Sequence, residues 1–100
     1  DDFSQVNNSY ALKQNSSGET NINSASGQEL HMNINHSQVV TITSAENVGI
    51  GVTTPASKLE VDGGDIEIDD SASGLILRSP NGTRYRVQVD NSGNLTTTAV

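Results

Sequence analysis

The feature that most constrains this chain is a shortage of material for a hydrophobic core. Only 24 of its 100 residues are Val, Ile, Leu, Met or Phe, and it has three aromatic residues and no Cys. A small domain with so little apolar surface normally needs disulfides, a structural metal or association between subunits to stay folded. Disulfides are excluded here and no closed set of metal ligands is evident. Burial between subunits is therefore the expected remedy.

The apolar residues are arranged as short strands separated by turn residues. Leu30, Met32 and Ile34 alternate with polar residues, and residues 39–43 follow a turn-like Asn-His-Ser, which predicts a hairpin. Further short alternations, each closed by Asp, Asn, Ser or Gly, occupy 59–61, 66–68, 75–77, 85–89 and the residues from 95 onwards. Gly, Asn, Ser and Thr interrupt every candidate helix. The predicted fold class is all-β.

The first 28 residues have a different composition. They are rich in Asn, Ser, Gln and Gly, with only isolated apolar residues. Such a segment is expected to form a polar arm or linker, extended or built from weakly patterned strands. The sequence thus predicts two parts: an arm over residues 1–28 and a β-rich assembly domain over residues 29–100.

A glycine-rich run supplies the most distinctive local pattern. Two glycines alternate with three branched aliphatics in Val48, Gly49, Ile50, Gly51 and Val52. In an extended segment one face then carries aliphatic side chains and the other carries none, which invites the close approach of another backbone. The following Thr-Pro pair suits the N-cap and first position of a single helical or 3₁₀ turn before the strand at 59–61.

These residues resemble a known family. The run Val48-Gly49-Ile50-Gly51, the pair Thr54-Pro55 and the strand Lys58-Leu59-Glu60-Val61 are similar to a recurring motif of tail-fibre and other appendage proteins of tailed bacteriophages. The resemblance continues through 65–69 to SPNGTRYRVQVDNSGNL at 79–95, which is similar to the closing segment of such fibres. Val52 departs from the pattern, since the family usually has Thr or another small polar residue there.

The resemblance covers about the last half of the chain and implies an architecture. Proteins of this family usually form elongated, intertwined homotrimers of β-structure, similar to a β-prism or triple β-helix. It implies a structural virion protein, a segment of a trimeric tail fibre or spike that presents a host-attachment surface. The implied partners are further copies of the chain, other virion proteins and a host-surface glycan or protein. Binding without turnover would gain strength from avidity.

Two other functions stay open at this point. The first is a capsid decoration or head-appendage protein that docks through its N-terminal arm, which the sequence barely separates from a fibre segment. The second is a fragment of a bacterial adhesin, which would require an anchor or secretion signal outside these residues. Because turns are exposed at the tip of a trimer, the candidate receptor contacts are Asn81, Thr83, Tyr85, Asn91 and Asn94. The same residues can equally serve only the structure of the turns.

Two sets of residues are weak candidates for metal binding. Asp65, Glu67 and Asp69 alternate with isoleucines, so a strand would carry three carboxylates on one face. That face is either solvated or, with symmetry-related copies, a Ca²⁺ site, although the turn glycine of an EF-hand is missing. His31 and His36 have an odd spacing that does not pair two ligands on one strand, but copies of one histidine could meet at a trimer axis.

Three arginines offer the acidic strip another partner, since Arg78, Arg84 and Arg86 could offset it across neighbouring strands. No cofactor is expected. The net charge of −7, with five Lys and Arg, argues against nucleic acid or an anionic membrane as partner. No apolar run approaches the roughly 18 residues of a membrane span. An enzyme is not expected, because no nucleophile elbow and no aromatic-framed pair of carboxylates occurs.

Overall fold

The computed structural model describes residues 11–100, and all regular structure in this range is β-strand. The nine strands are β1 (Leu12–Gln14), β2 (Thr20–Ile22), β3 (Leu30–Ile34), β4 (Ser37–Ile42), β5 (Val48–Ile50), β6 (Leu59–Val61), β7 (Leu75–Arg78), β8 (Arg84–Val89) and β9 (Leu95–Ala99). The predicted all-β class is confirmed. Over the same residues, no helix of the length and apolarity needed to cross a bilayer occurs.

The chain divides into two compact units, Asp1–Asp65 and Ile66–Val100. The first contains the β1–β2 hairpin and a four-stranded sheet of order β3-β4-β5-β6, and the second contains a three-stranded sheet of order β7-β8-β9. The boundary between the two units lies between Asp65 and Ile66. The predicted division between residues 28 and 29 stays a prediction.

The β1–β2 hairpin lies within the predicted polar arm. Its turn is held by Asn15, whose side-chain oxygen accepts hydrogen bonds from the backbone N–H groups of Ser17 and Glu19, each at 3.0 Å. Gly18 supplies the positive φ of +85° that the turn requires. The arm therefore includes weakly patterned strands, while residues 1–10 lie outside the described part of the chain.

The predicted hairpin over residues 30–43 is confirmed as β3 and β4. Asn35 and His36 connect the strands with φ values of 47° and 63°. Two consecutive residues with positive φ match the right-handed twist of the flanking strands, and Asn is among the residues that tolerate this conformation. A bulge shifts the register between Met32 and Asn33.

The glycine-rich run forms β5, which pairs antiparallel with β4 and parallel with β6. Residues 51–58 make the crossover between the parallel strands. A Cβ atom at Gly49 would collide with the carbonyl oxygen of Val52, and one at Gly51, where φ is +74°, with that of Asp62. The predicted close approach of another backbone is thus confirmed at both glycines.

The predicted helical turn at Thr54 and Pro55 is wrong, since the crossover consists of bends. Its backbone groups bond to side chains from outside the crossover. The Glu60 carboxylate accepts from the N–H of Ala56 at 2.6 Å, and the Asn47 amide donates to the carbonyl of Pro55 at 3.4 Å. A helical turn would use such groups internally, so these contacts favour the bent path.

The four-stranded sheet has one aliphatic face and one small-residue face. The register places eight aliphatic residues on the same side, namely Leu30, Met32, Val40, Ile42, Val48, Ile50, Leu59 and Val61. The opposite side carries Thr41, which is 1% exposed, and Gly49, both buried together with Pro55 of the crossover. The crossover therefore covers the small-residue face, and the aliphatic face stays open, with Met32 52% and Leu59 56% exposed.

The second unit is an antiparallel meander. The strands predicted at 75–77, at 85–89 and from Leu95 are confirmed as β7, β8 and β9. The strand predicted at 66–68 is wrong, because residues 65–69 belong to no strand or turn. The loop that follows is tied to β8 instead: the Gln88 amide donates to the carbonyls of Ser71 at 3.0 Å and Ser73 at 3.4 Å. Gly74 also contacts the carbonyl oxygen of Val87.

Candidate functional site: the C-terminal sheet and its turns

The β7-β8-β9 sheet has an aliphatic face that no described residue covers. Since successive side chains of a strand point to opposite faces, the register places Leu75, Leu77, Tyr85, Val87, Val89, Leu95, Thr97 and Ala99 on one side. Leu77 is 60% exposed, Val89 64% and Leu95 80%. Within residues 11–100, no large apolar side chain is buried. This surface is called the aliphatic face below.

A shallow depression of about 320 Å³ lies at one end of this sheet. Leu77, Tyr85, Val87 and Thr97 line it together with Arg78 and Ser79. Tyr85, predicted as an aromatic platform, is 37% exposed and contributes its ring to this depression. A depression of this size can accommodate an apolar side chain or the edge of a sugar ring.

The opposite face carries the three arginines. Arg78 and Arg84 lie directly opposite each other across β7 and β8, and Arg86 follows on the same side of β8. Among the described residues none of the three takes part in an ion pair. The charge of Arg86 also lowers the pKa of the Asp70 carboxyl, but less than the hydrogen bonds that this carboxyl accepts from Ala72 and Ser73. This surface is called the arginine face below.

The β7–β8 turn, residues 79–83, is organised around Asn81. Its side-chain oxygen accepts a hydrogen bond from the Ser79 hydroxyl at 2.6 Å and from the backbone N–H of Thr83 at 3.1 Å. Ser79 also pairs with Thr83 through the backbone at 2.9 Å, and Gly82 has a φ of +89°. Asn81 thus has a defined structural role in addition to its predicted one.

The β8–β9 turn, residues 90–94, is organised around Asp90. Its carboxylate accepts from the backbone N–H of Asn94 at 2.9 Å, from the Asn94 amide at 3.1 Å and from the N–H of Ser92 at 2.8 Å. These hydrogen bonds, those of Asn94 first, hold the pKa of Asp90 below the ordinary value of 3.8. Asp70 caps its own turn similarly: the N–H of Ala72 and then the Ser73 hydroxyl lower its pKa.

The predicted receptor contacts do not form one cluster. Asn81, Thr83 and Tyr85 lie at or beside the turn that precedes β8, whereas Asn91 and Asn94 lie in the turn that follows it. An antiparallel meander places these two turns at opposite ends of its central strand. Six residues of strand separate them, a distance of roughly 20 Å at about 3.3 Å per residue. A ligand at one end of a single chain therefore meets only one of the two groups.

The candidate metal ligands are dispersed in the single chain. Within residues 11–100, no three His, Asp or Glu side chains come close enough to hold an ion. His31 lies on β3, where its ring bonds to the Glu29 carboxylate at 2.8 Å and to the Gln38 amide at 2.8 Å. His36 lies in the β3–β4 turn. Asp65, Glu67 and Asp69 lie outside the strands and turns.

Sequence reasoning missed three features of this region. It identified the turn segments but not the capping roles of Asp90 and Asp70, although an Asp at the first position of a turn is a usual signal. It also missed that Gln88 holds the loop before β7. Arg84 and Arg86 are two residues apart on β8, so the sequence could have placed them on one face. That Arg78 lies directly opposite Arg84 could be known only from the register of β7 against β8.

No protein-family model, curated protein or solved structure that was compared with this chain matches it.

Proposed function

We propose that the chain is a structural virion protein, a segment of a homotrimeric tail fibre or spike that presents a host-attachment surface and has no catalytic activity. The observation that carries the proposal is the pair of open aliphatic faces, one on the four-stranded sheet and one on the C-terminal sheet. Large exposed apolar surfaces mark sites of association in soluble proteins. The resemblance of residues 47–95 to phage appendage proteins supports the same function.

Association of copies is energetically sufficient to cover these faces. Completing the burial of a half-exposed Leu or Val side chain contributes about 1 kcal/mol, given 1.5–3 kcal/mol for full burial. Leu75, Leu77, Val89 and Leu95 are each at least 60% exposed. With the aliphatic residues of the first unit, each subunit supplies enough surface to offset an association cost of about 4–15 kcal/mol.

Attachment in this proposal uses one of the two turn groups of the C-terminal sheet. The group of Asn81, Thr83 and Tyr85 is favoured, because it adjoins the depression lined by Leu77 and Tyr85. An aromatic ring beside amide and hydroxyl groups suits a sugar or a small protein epitope. Weak contacts at three equivalent sites of a trimer, and again at several fibres, would combine by avidity.

The mass of the full chain in solution tests the assembly. Light scattering at micromolar concentration is expected to give three times the chain mass of 10.5 kDa, with a β-rich circular dichroism spectrum. Leu95→Thr, at the end of the aliphatic face away from the depression, should lower the trimer fraction. Val100→Thr, which alters an apolar residue 48% exposed on the opposite face of the same sheet, should leave it unchanged. A folded wild-type monomer would contradict the proposal.

Cell binding tests the attachment. Fluorescently labelled trimer should bind a subset of bacterial strains, and Tyr85→Ala should reduce this binding more than Asn91→Ala does. Because Tyr85 lies on the aliphatic face, each variant is compared as a trimer of confirmed mass. Binding to purified capsids in the absence of binding to cells would instead indicate the decoration function. Equal effects of the two substitutions would contradict the assignment of the contact to the turn that precedes β8.

A further inference from the structure

A segment without partners precedes the C-terminal sheet. Residues 66–69, Ile-Glu-Ile-Asp, form no hydrogen bond with any other described residue and lie in no strand or turn. Ile66 is 67% exposed and Ile68 45% exposed. In an extended conformation the two isoleucines point to one side and the two carboxylates to the other. The segment therefore has the pattern of a half-buried strand but has no sheet to join.

The outer edge of β7 has no neighbouring strand within residues 11–100. In the order β7-β8-β9, β7 pairs only with β8 among the described strands. The Ser79 N–H donates to the Thr83 carbonyl, so these two residues form a hydrogen-bonded pair. Hydrogen-bonded pairs recur at every second residue of an antiparallel ladder, so the backbone groups of Leu75 and Leu77 also point toward β8. The N–H and C=O groups of Ile76 and Arg78 consequently face outward, and such an unpaired row is a template for another strand.

The two faces of this edge complement the two sides of the segment. Leu75 and Leu77 lie on the aliphatic face, and Ile76 and Arg78 lie on the arginine face. A strand added here in one orientation places its isoleucines beside the leucines and one of its carboxylates beside Arg78. The reverse orientation would place carboxylates among leucines. The alternation of the segment therefore determines which of its sides lies on the aliphatic face of the sheet.

We propose that residues 66–69 of one copy of the chain add as a fourth strand to the free edge of β7 in a second copy. The inference rests on the proposed trimer and specifies how its subunits interlock. Repeated head to tail around a threefold axis, the contact closes a ring in which every subunit gives and receives one strand. Main-chain hydrogen bonds supply affinity, while the Glu67 carboxylate beside Arg78 supplies register.

The occupant is a second copy rather than the same chain because of how the intervening loop is held. The carbonyls of Ser71 and Ser73 accept hydrogen bonds from the Gln88 side chain. Asp70 further caps this loop through Ala72 and Ser73. These contacts draw the loop over β8, the middle strand, and away from the outer edge of β7 where a hairpin partner would lie.

Charge exchange on the full-length chain tests the proposal. Glu67→Arg and Arg78→Glu, each alone, should lower the trimer association constant about 100-fold. Each of the three contacts in the ring is expected to weaken roughly fivefold, and the three factors multiply. The double variant Glu67→Arg/Arg78→Glu should recover most of this loss. Arg78→Glu places a carboxylate opposite Arg84 but also removes the 3.4 Å hydrogen bond from Arg78 to the Gly82 carbonyl. Circular dichroism of each variant should therefore show the wild-type β-rich spectrum, so that a loss of trimer is distinguished from misfolding.

Matched controls come from the exposed pair of the first unit, in which Lys58 lies 3.7 Å from Glu46. Glu46→Arg and Lys58→Glu change the net charge by the same amounts and should leave the trimer intact. As a second readout, the amides of Ile76 and Arg78 should exchange hydrogen slowly in the trimer and at least tenfold faster in Glu67→Arg.

The outcomes separate this inference from the proposed function. Trimer that persists in both single variants, or is lost in them without rescue by the double variant, would overturn the added strand and leave the trimer standing. Fast exchange at Ile76 and Arg78 in a wild-type trimer would overturn it as well. A wild-type chain that is monomeric at micromolar concentration would overturn the trimer and the added strand together.

Discussion

Arg78 and Arg84 lie directly opposite each other across β7 and β8, on the side of the sheet that also carries Arg86. Like charges in directly opposed positions of neighbouring strands destabilise a sheet. Three of the five cationic side chains of an acidic protein are thus held together on one small surface. The arrangement is unfavourable within the isolated chain and becomes favourable when carboxylates approach.

Removing one member of this pair should stabilise the isolated sheet. Arg84→Thr is expected to raise the free energy of unfolding by about 0.5–1 kcal/mol at low salt, because the repulsion from Arg78 is lost. Arg84→Lys keeps the charge and should behave like the wild type. Urea unfolding followed by circular dichroism measures both, at a fixed protein concentration low enough for light scattering to show the single chain. The advantage of Thr over Lys should shrink at about 0.5 M salt, where exposed charges are screened. Equal stability of the two variants at low salt would contradict the prediction.

Gly51 and Gly63 provide a matched test of close backbone approach. Both have positive φ, at 74° and 79°, but a Cβ atom would meet the Asp62 carbonyl only at Gly51, with nothing within 4 Å at Gly63. Gly63→Ala should cost about 1–2 kcal/mol, from the backbone conformation alone. Gly51→Ala should cost at least about 1 kcal/mol more, because the crossover must shift. The same unfolding measurement compares them, and equal losses would mean that the crossover yields at no cost.

The Asp90 turn should make stability dependent on acid pH. Hydrogen bonds lower the pKa of Asp90 below 3.8, so the ionised carboxylate is stabilised more in the folded protein than in the unfolded chain. This contribution is present above the ordinary pKa and is lost as the pH falls through the lowered value. Asp90→Asn, which keeps an acceptor oxygen but does not titrate, should therefore lose less stability between pH 5 and about pH 3 than the wild type.

Thermal unfolding at a series of pH values measures this effect. Asp70→Asn should flatten the acid dependence in the same way, because the pKa of Asp70 is lowered by its turn. Asp90→Ala removes the acceptor and should destabilise the protein over the whole range. Parallel pH profiles for the wild type and Asp90→Asn would contradict the role given to the charged carboxylate.

The two turns of the meander should respond differently to loss of an asparagine side chain. Asn81→Ala removes the acceptor of hydrogen bonds from Ser79 and Thr83 and should cost about 1 kcal/mol. Asn91 forms no such bond among the described residues, so Asn91→Ala should change stability by less than about 0.5 kcal/mol. Unfolding of both variants beside the wild type measures the difference. A loss at Asn91 as large as that at Asn81 would mean that its turn depends on a contact in the assembly.

Local patterns predicted much of the fold. The sequence correctly predicted the strand at Leu30, Met32 and Ile34, the turn at Asn35 and His36, and the strands of the C-terminal meander. These features are predictable because side-chain period and turn chemistry act over a few neighbouring residues. The same reasoning failed at residues 66–68, whose alternation is that of a strand but whose neighbouring loop is bound to Gln88. An alternating pattern indicates a strand and does not specify the strand that it joins.

The candidate site was predictable in part. Its turns and Tyr85 were identified, but the division of the proposed contacts between the two ends of β8 depends on the order of strands in the sheet. The opposition of Arg78 and Arg84 likewise depends on register. Register is fixed by which apolar side chains share a face and by the lengths of the turns, and it is a property of strand pairs.

The sequence by itself determined the all-β class, the positions of most strands and turns, and the shortage of apolar residues for a core within one chain. These follow from composition and from interactions between residues close in the chain. Only the tertiary structure decided that β5 and β6 pair in parallel, that the crossover covers Thr41 and Gly49, and that the aliphatic faces stay open. The physical reason is that backbone hydrogen bonds between strands are nearly independent of sequence, so the choice of partner is made by packing between distant segments.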